Sequence, residues 1–134
     1  MNDDVVLVQC ALGVARIAID DEDVVDIDHE AELPKVVVDI DLPLLVTADA
    51  QGPRIVAVVN RRPPLVVSDD AGMSWRESGG GLPAGRAVAI SPNHPDLMLF
   101  AGRSRLYVSR DGGRFWHALA VELPEIERVA WAEL

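Results

Sequence analysis

The amino-acid sequence predicts an all-β protein made from repeated groups of short strands. Its 134 residues are the length of one domain. Short apolar runs rich in β-branched residues recur along the chain, each bounded by glycine, proline or polar residues. No segment keeps a helical hydrophobic period beyond about two turns. These three observations favour antiparallel sheets over a helical or mixed fold.

Internal repeats set the organisation of the chain. A shift of 41 residues superposes the C-terminal half on itself, so that Ser68, Asp70, Gly72 and Trp75 meet Ser109, Asp111, Gly113 and Trp116. A shift of 50 residues superposes the N-terminal part on the middle of the chain. The larger offset indicates extra residues, mainly one insertion near Pro43 to Gly52 and one residue before Leu33. We therefore predict three repeats within a single domain of residues 1–134, at about 5–41, 42–90 and 91–131.

The apolar runs predict four strands in each repeat. The predicted strands are 5–10, 14–19, 24–27 and 36–40 in the first repeat, 54–60, 65–68, 74–77 and 86–90 in the second, and 97–102, 106–109, 115–119 and 126–131 in the third. Four short antiparallel strands every 41–50 residues are typical of a β-propeller blade. The sequence therefore predicts three blades' worth of strands.

The order of the strands is permuted. If 86–90 is an innermost strand, the chain begins with strands two to four of one blade and ends with a lone inner strand, 126–131. Three blades are too few for a ring, since propellers have about four to eight. We expect two chains to exchange their terminal strands and close a six-bladed homodimeric ring, which would leave no bare sheet edge. Closure with another chain, or a fragment of a longer protein, are the alternatives.

A motif marks the third turn of two repeats. Residues 68–75 fit S-x-D-x-G-x-[S/T]-W, and residues 109–116 fit it with Phe115 at the Ser/Thr position. This motif resembles the Asp-box, or BNR, repeat of sialidases and sortilin-type receptors. The resemblance covers about residues 54–131 well, whereas in the first repeat Ala18, Glu22 and Val25 replace the serine, glycine and tryptophan. It implies a propeller fold, and a six-bladed one where the repeat occurs in sialidases.

The motif predicts a structural role rather than catalysis. An aspartate in a tight turn can accept backbone N–H groups of that turn, and a glycine can adopt positive φ there. The tryptophans are expected in the core between neighbouring sheets. The residues assigned this role are Ser68, Asp70, Gly72, Trp75, Ser109, Asp111, Gly113 and Trp116.

No catalytic residue can be assigned. The resemblance implies that a sialidase site would need an arginine triad, a tyrosine nucleophile with its glutamate, and an acid. Tyr107, the only tyrosine, lies inside a predicted strand, where packing explains it, and the N-terminal arginine motif of sialidases is absent. Two facing carboxylates would suffice for glycoside hydrolysis, so a glycan-binding or sialidase-like protein remains the alternative to a non-enzymatic one.

Four arginines are the candidate binding residues. Strand alternation places the turns between strands two and three on the same face as the connections between blades. That face collects Arg61, Arg62, Arg103 and Arg105, near Glu77, Glu122 and Glu125. Such a mouth could accept an anionic peptide, a sugar or an acidic segment. We therefore predict a non-enzymatic binding or scaffold protein with a protein or anionic partner.

Composition limits the partners and the compartment. The chain has 22 acidic and 12 basic residues, a net charge of −10, which argues against nucleic-acid or anionic-membrane binding. No apolar run approaches the roughly 18–20 residues of a membrane helix. A single cysteine, Cys10, excludes an internal disulfide framework. The acidic run 20–32 lacks the spacing of an EF-hand and indicates a solvated face. We predict a cytoplasmic protein without metal or cofactor.

Overall fold

The computed structural model describes residues 4–132, which form twelve β-strands and no helix. The strands are β1 (Val5–Cys10), β2 (Gly13–Ala18), β3 (Asp23–Asp28), β4 (Leu45–Gln51), β5 (Arg54–Val59), β6 (Leu65–Ser68), β7 (Arg76–Ser78), β8 (Ala87–Ile90), β9 (Met98–Ala101), β10 (Arg105–Ser109), β11 (His117–Glu122) and β12 (Arg128–Trp131). The predicted all-β class is confirmed. Nothing in the described part of the chain is a helix able to cross a membrane.

The strands form three four-stranded antiparallel sheets. Sheet I has the order β12-β1-β2-β3, sheet II the order β4-β5-β6-β7, and sheet III the order β8-β9-β10-β11. Sheets II and III each use four consecutive strands. Sheet I combines the first three strands of the chain with the last one, so the permuted order expected from the repeats is present.

One predicted strand is wrong. Residues 36–40 form no strand. The edge of sheet II is instead β4, which lies within the segment that looked like an insertion. We call β4, β8 and β12, the edge strands through which the sheets contact one another, the inner strands. β4 and β5 are joined by a turn of only two residues, Gly52 and Pro53, with Gln51 opposite Arg54. A tight hairpin orders few loop residues, so β4 reaches the edge of β5 at a lower entropic cost than the more distant 36–40 segment.

The terminal strand pairs within its own chain. β12 lies antiparallel to β1, with Val6 opposite Trp131 and Val8 opposite Val129. The predicted neighbours are correct, and in the single chain β12 pairs with β1 of the same chain. Exchange of this strand with a second copy stays a prediction. The connection 29–44 has 16 residues, which can span about 50 Å. It carries the chain from sheet I to sheet II, while the connections 79–86 and 123–127 join adjacent sheets.

The three sheets pack side by side in a row, with sheet III between sheets II and I. Its inner strand β8 contacts both β4 of sheet II and β12 of sheet I. The cluster between sheets II and III contains Val56, Val58, Leu65, Val67, Val88, Ile90, Met98 and Phe100. The cluster between sheets III and I contains Val6, Val8, Cys10, Ile17, Leu99, Leu106, Val108 and Trp131, among others. Within residues 4–132 β4 and β12 do not touch, so the row is open.

The connection 29–44, which we call the strap, covers the free face of sheet II. Its residues Val38, Ile40 and Leu42 pack against a buried group formed by Ala48, Ala57, Val59 and Val66. Val36 and Val37 of the strap are exposed, by 56% and 81%. The free face of sheet II is therefore covered by the chain itself.

Candidate functional site

The row of sheets has two ends. At one end lie the motif turns 68–75 and 109–116, next to the β4–β5 and β8–β9 turns: Ala71 N donates to Pro53 O at 2.8 Å, and Gly112 N to Asp96 O at 2.9 Å. We call this the motif end. At the other, the connection end, Leu123 N donates to Ser104 O at 2.8 Å. This separation is the one that strand alternation predicts.

Asp70 holds the first motif turn. Its carboxylate accepts Ser74 N at 2.8 Å, Ser74 Oγ at 2.6 Å and Ser68 Oγ at 2.7 Å. Gly72 N donates to Ser68 Oγ at 2.8 Å, and Gly72 has the predicted positive φ, 91°. The Ser74 hydroxyl, with the Ser74 N–H and the Ser68 hydroxyl, lowers the pKa of Asp70 to about 2, since each bond favours the ionised form.

Asp111 holds the second turn with the same number of hydrogen bonds but a different set of donors. Its Oδ1 accepts Phe115 N at 3.0 Å, Arg114 N at 3.1 Å and Ser109 Oγ at 2.8 Å. The Phe115 N–H is the main cause of the lowered pKa of Asp111. Gly113 again has positive φ, 89°. Phe115 has no hydroxyl to offer, so the bond that Ser74 makes in the first turn has no counterpart here.

The two motif tryptophans have different environments. Trp116 lies at the cluster between sheets II and III, with its ring 6.0 Å from that of Phe100 and its Nε1 donating to Ser78 Oγ at 3.2 Å. Trp75 instead packs with the cluster under the strap, on the free face of sheet II. The expectation of a position between two sheets is therefore wrong for Trp75. Tyr107 packs against Phe100 at 5.8 Å, in agreement with a packing role.

Three of the four predicted binding arginines form ion pairs beside their own turns. Arg61 contacts Glu77 at 2.8 Å, Arg105 contacts Glu122 at 2.5 Å, and Arg103 contacts Glu125 at 2.7 Å. Their charges are thus largely neutralised, although such exposed pairs add little stability. Glu125 also binds Arg86, and these two arginines, Arg103 foremost, lower its pKa.

Arg62 differs from the other three, since it has no hydrogen bond or ion pair with any of residues 4–132. Arg61 and Arg62 follow β5 of sheet II, whereas Arg103 and Arg105 follow β9 of sheet III. The structure therefore places the four residues as two pairs on neighbouring sheets.

A second candidate site, which the sequence analysis missed, is the concave face formed by the inner strands β4, β8 and β12. A cavity of about 390 Å³ lies there. Its charged lining residues are Lys35, Asp49, Arg86, Glu127 and Arg128. The signal that was missed is a charged residue in or beside each inner strand: Asp49 in β4, Arg86 before β8 and Arg128 in β12. This pattern is complete only when β4, rather than 36–40, is assigned to sheet II.

Arg128 is positioned in this cavity by neutral groups. Its Nη1 donates to Gln9 Oε1 at 3.2 Å and to Leu33 O at 3.1 Å. Gln9 is itself fixed, because Leu33 N donates to its Oε1 at 2.8 Å and its Nε2 donates to Glu127 Oε2 at 3.1 Å. Among the described residues no carboxylate lies within 4.0 Å of the Arg128 guanidinium. It is an oriented, half-buried cation that forms no ion pair, and Glu127 binds the other end of the same Gln9 side chain.

Asp49 in the same cavity joins two sheets. Its Oδ2 accepts Ile90 N of β8 at 2.8 Å, and its Oδ1 accepts Ala50 N at 2.9 Å. Burial raises the pKa of Asp49, while the two backbone N–H groups oppose this. Because both oxygens already accept backbone bonds, the arrangement indicates a sheet-to-sheet link rather than a free catalytic acid.

The fold and the concave face define an all-β protein of three packed sheets with an oriented cation facing a cavity. No family model matches the chain, and no curated protein matches it. Within residues 4–132, no three His, Cys, Asp or Glu side chains are grouped so that they could hold a metal ion.

Proposed function

We propose that this chain is a non-enzymatic binding or scaffold protein, and that its concave face binds a partner through an anionic group. The observation that carries the proposal is Arg128, whose guanidinium is oriented by Gln9 and Leu33 but neutralised by neither. A guanidinium offers a planar pair of donors that matches a carboxylate. The partner we expect is an acidic segment of a peptide.

The charge balance of the chain supports this assignment. Acidic residues outnumber basic ones by 22 to 12, yet the half-buried Arg128 forms no ion pair within residues 4–132. Lys35 and Arg86 line the same cavity, as do Asp49 and Glu127, so its lining holds one more basic than acidic residue, and Arg86 is already paired with Glu125 at 2.9 Å. Concave faces with a few fixed polar groups are the usual place for ligands.

We also propose that the three sheets are propeller blades and that a second copy completes a six-bladed homodimeric ring. The support is the row of side-by-side inner strands, open between sheets II and I, which a two-fold axis could close. No strand exchange is needed, since β12 already completes sheet I. The strap would have to leave the free face of sheet II. Light scattering should give about twice the 14.5 kDa chain mass, and a monomer would refute the ring.

Isothermal titration with a hexaglutamate peptide tests the concave face, with a hexaglutamine peptide as the uncharged control. We expect the wild-type protein to bind hexaglutamate, and Arg128→Gln to weaken binding by about tenfold, as loss of one charged hydrogen-bonded contact should. Arg16→Gln is the matched control, because Arg16 is exposed, pairs with Asp26 at 3.7 Å and lies outside the cavity. Equal binding by all three proteins, or none by the wild type at millimolar peptide, would contradict the proposal.

A hydrolase would behave differently. Turnover of fluorogenic sialosides or other glycosides by the wild-type protein, abolished in Asp49→Asn, would favour the sialidase-like alternative. We expect no turnover, because both oxygens of Asp49 are held by backbone N–H groups.

A further inference from the structure

A second cavity, of about 460 Å³, lies at the motif end between sheets I and III. Its apolar floor is formed by Ile19, Val108 and Leu119, all buried. Its rim is formed by the β2–β3 turn on one side and the second motif turn on the other. The rim residues are Asp20, Glu22, Arg110, Asp111, Phe115, Trp116 and His117. We call this cavity the motif groove.

Two rim residues differ from those at the equivalent positions of the other repeats, and neither difference helps to stabilise its own turn. Phe115 replaces the serine that closes the first turn, gives up a hydrogen bond to the aspartate, and is 79% exposed. Glu22 stands where the sister turns have Gly72 and Gly113, and it has positive φ, 54°, which costs a non-glycine residue free energy. Both departures face the same groove. Local rules are most often broken where function requires it.

The charge of the rim indicates what the groove could hold. Asp20 pairs with Arg110 at 3.1 Å, while the Glu22 carboxylate accepts Ala120 N at 2.6 Å and lies 3.5 Å from His117 Nε2. The rim therefore carries three carboxylates, those of Asp20, Glu22 and Asp111, and a single guanidinium, that of Arg110. The rim is acidic, and the whole chain has a net charge of −10.

We propose that the motif groove binds an amphiphilic organic cation, an ammonium group attached to an apolar or aromatic body. The body would lie on Ile19, Val108 and Leu119, and the ammonium group would lie between the Phe115 ring and the Glu22 carboxylate. An aromatic face attracts a cation, and more strongly where water is partly excluded. The groove lies at the end opposite the connections between sheets, so this proposal does not depend on the function of the concave face.

Three probes that share a benzyl group and differ in charge test the proposal: benzyltrimethylammonium, benzyl alcohol and phenylacetate. Titration calorimetry or chemical-shift perturbation on the intact protein should rank them in that order of affinity. The cation should perturb Phe115 and Trp116. Equal affinity for all three probes would reduce the groove to a non-selective apolar surface, and stronger binding of phenylacetate would overturn the assignment of charge.

Variants locate the probe. Phe115→Ser restores the residue of the first motif turn and should weaken benzyltrimethylammonium binding by about tenfold through loss of the cation–π contact. The matched control is Met73→Ser, because Met73 is 87% exposed on the sister turn and outside the groove. If Met73→Ser weakens binding as much as Phe115→Ser does, the proposal is wrong.

Substitutions that change the charge of the rim test the electrostatic part of the proposal independently of Phe115. Glu22→Gln keeps an acceptor for Ala120 N but removes the charge, and should weaken binding of the cation about threefold. Arg110→Gln removes the one guanidinium of the rim and should strengthen it by a similar factor. Opposite signs for these two variants support the proposal, and equal signs or no change refute it.

Discussion

Val6, in the first strand of the chain, lies opposite Trp131, in the last strand. The Trp131 indole Nε1 donates to Ala89 O of β8 at 3.1 Å, so the same side chain links sheet I to sheet III. Trp131 is 8% exposed and belongs to the largest buried cluster. The C-terminal strand thus closes the chain on itself and also packs the two sheets together.

Deletion of residues 128–134 should abolish cooperative folding. It removes β12, exposes the edge of β1 and empties the position of Trp131 in the core; loss of a buried tryptophan alone costs about 3–5 kcal/mol. We expect weakened near-UV circular dichroism and binding of a hydrophobic dye. Placing the deleted strand ahead of Met1 through a flexible linker should restore the thermal transition, because β12 is the neighbour of β1. A truncated protein that melts like the wild type would contradict this role.

Asp70→Ala and Asp111→Ala should each lower the melting temperature by several degrees. Each change leaves turn N–H groups without their acceptor, and such unsatisfied groups are unfavourable. The two effects should be similar, because each carboxylate accepts three hydrogen bonds in its turn. Scanning calorimetry measures both. If either variant keeps the wild-type melting temperature, the structural role of that aspartate is refuted.

Acidification should remove the contribution of Asp70 to the free energy of unfolding. The folded pKa of Asp70 is about 2, below the ordinary value of 3.8, so the unfolded chain binds more protons between these values. The contribution is complete above about pH 4 and is lost as the pH falls toward 2. Urea denaturation from pH 5 to pH 2 should show a steeper loss of stability for the wild type than for Asp70→Asn. Parallel curves for the two proteins would contradict the lowered pKa.

Gly85→Ala should be destabilising although Gly85 has no positive φ. A Cβ there would lie 2.5 Å from Phe100 Cε1 and 2.7 Å from Val58 Cγ1, both inside the cluster between sheets II and III. Such overpacking costs about 1–3 kcal/mol. Gly80→Ala is the control, because a Cβ at Gly80 meets no atom within 4 Å. Chemical denaturation should separate the two variants, and equal midpoints would show that Phe100 and Val58 have room to move.

Most of the local structure could be predicted from the residues. Short apolar runs rich in β-branched residues located eleven of the twelve strands, and the serine, aspartate and glycine of each motif predicted turns that Asp70 and Asp111 do hold. Cys10 is buried, as an apolar strand end suggests. These features depend on a few neighbouring residues, whose backbone preferences and side-chain chemistry act over short distances.

The candidate sites were less predictable. The sequence placed the arginines at 61, 103 and 105 on the same face as three glutamates, but the pairing of each arginine with one glutamate depends on how the turns pack. Arg128 was not singled out, since its lack of a carboxylate neighbour is a property of the folded arrangement alone. The motif groove needs two turns that lie about 90 residues apart, at Asp20 and Arg110.

Local patterns were therefore sufficient for the fold class, the repeats, the motif turns and the permuted order of strands. They could not choose between 36–40 and 45–51 for the inner edge of sheet II, since both segments are apolar and extended. Nor could they show that a single chain can place its own β12 beside β1. Those choices depend on the entropy of closing particular loops and on the surface left for the strap to cover. Both quantities are properties of the whole folded chain, which is why the folded arrangement was needed to determine them.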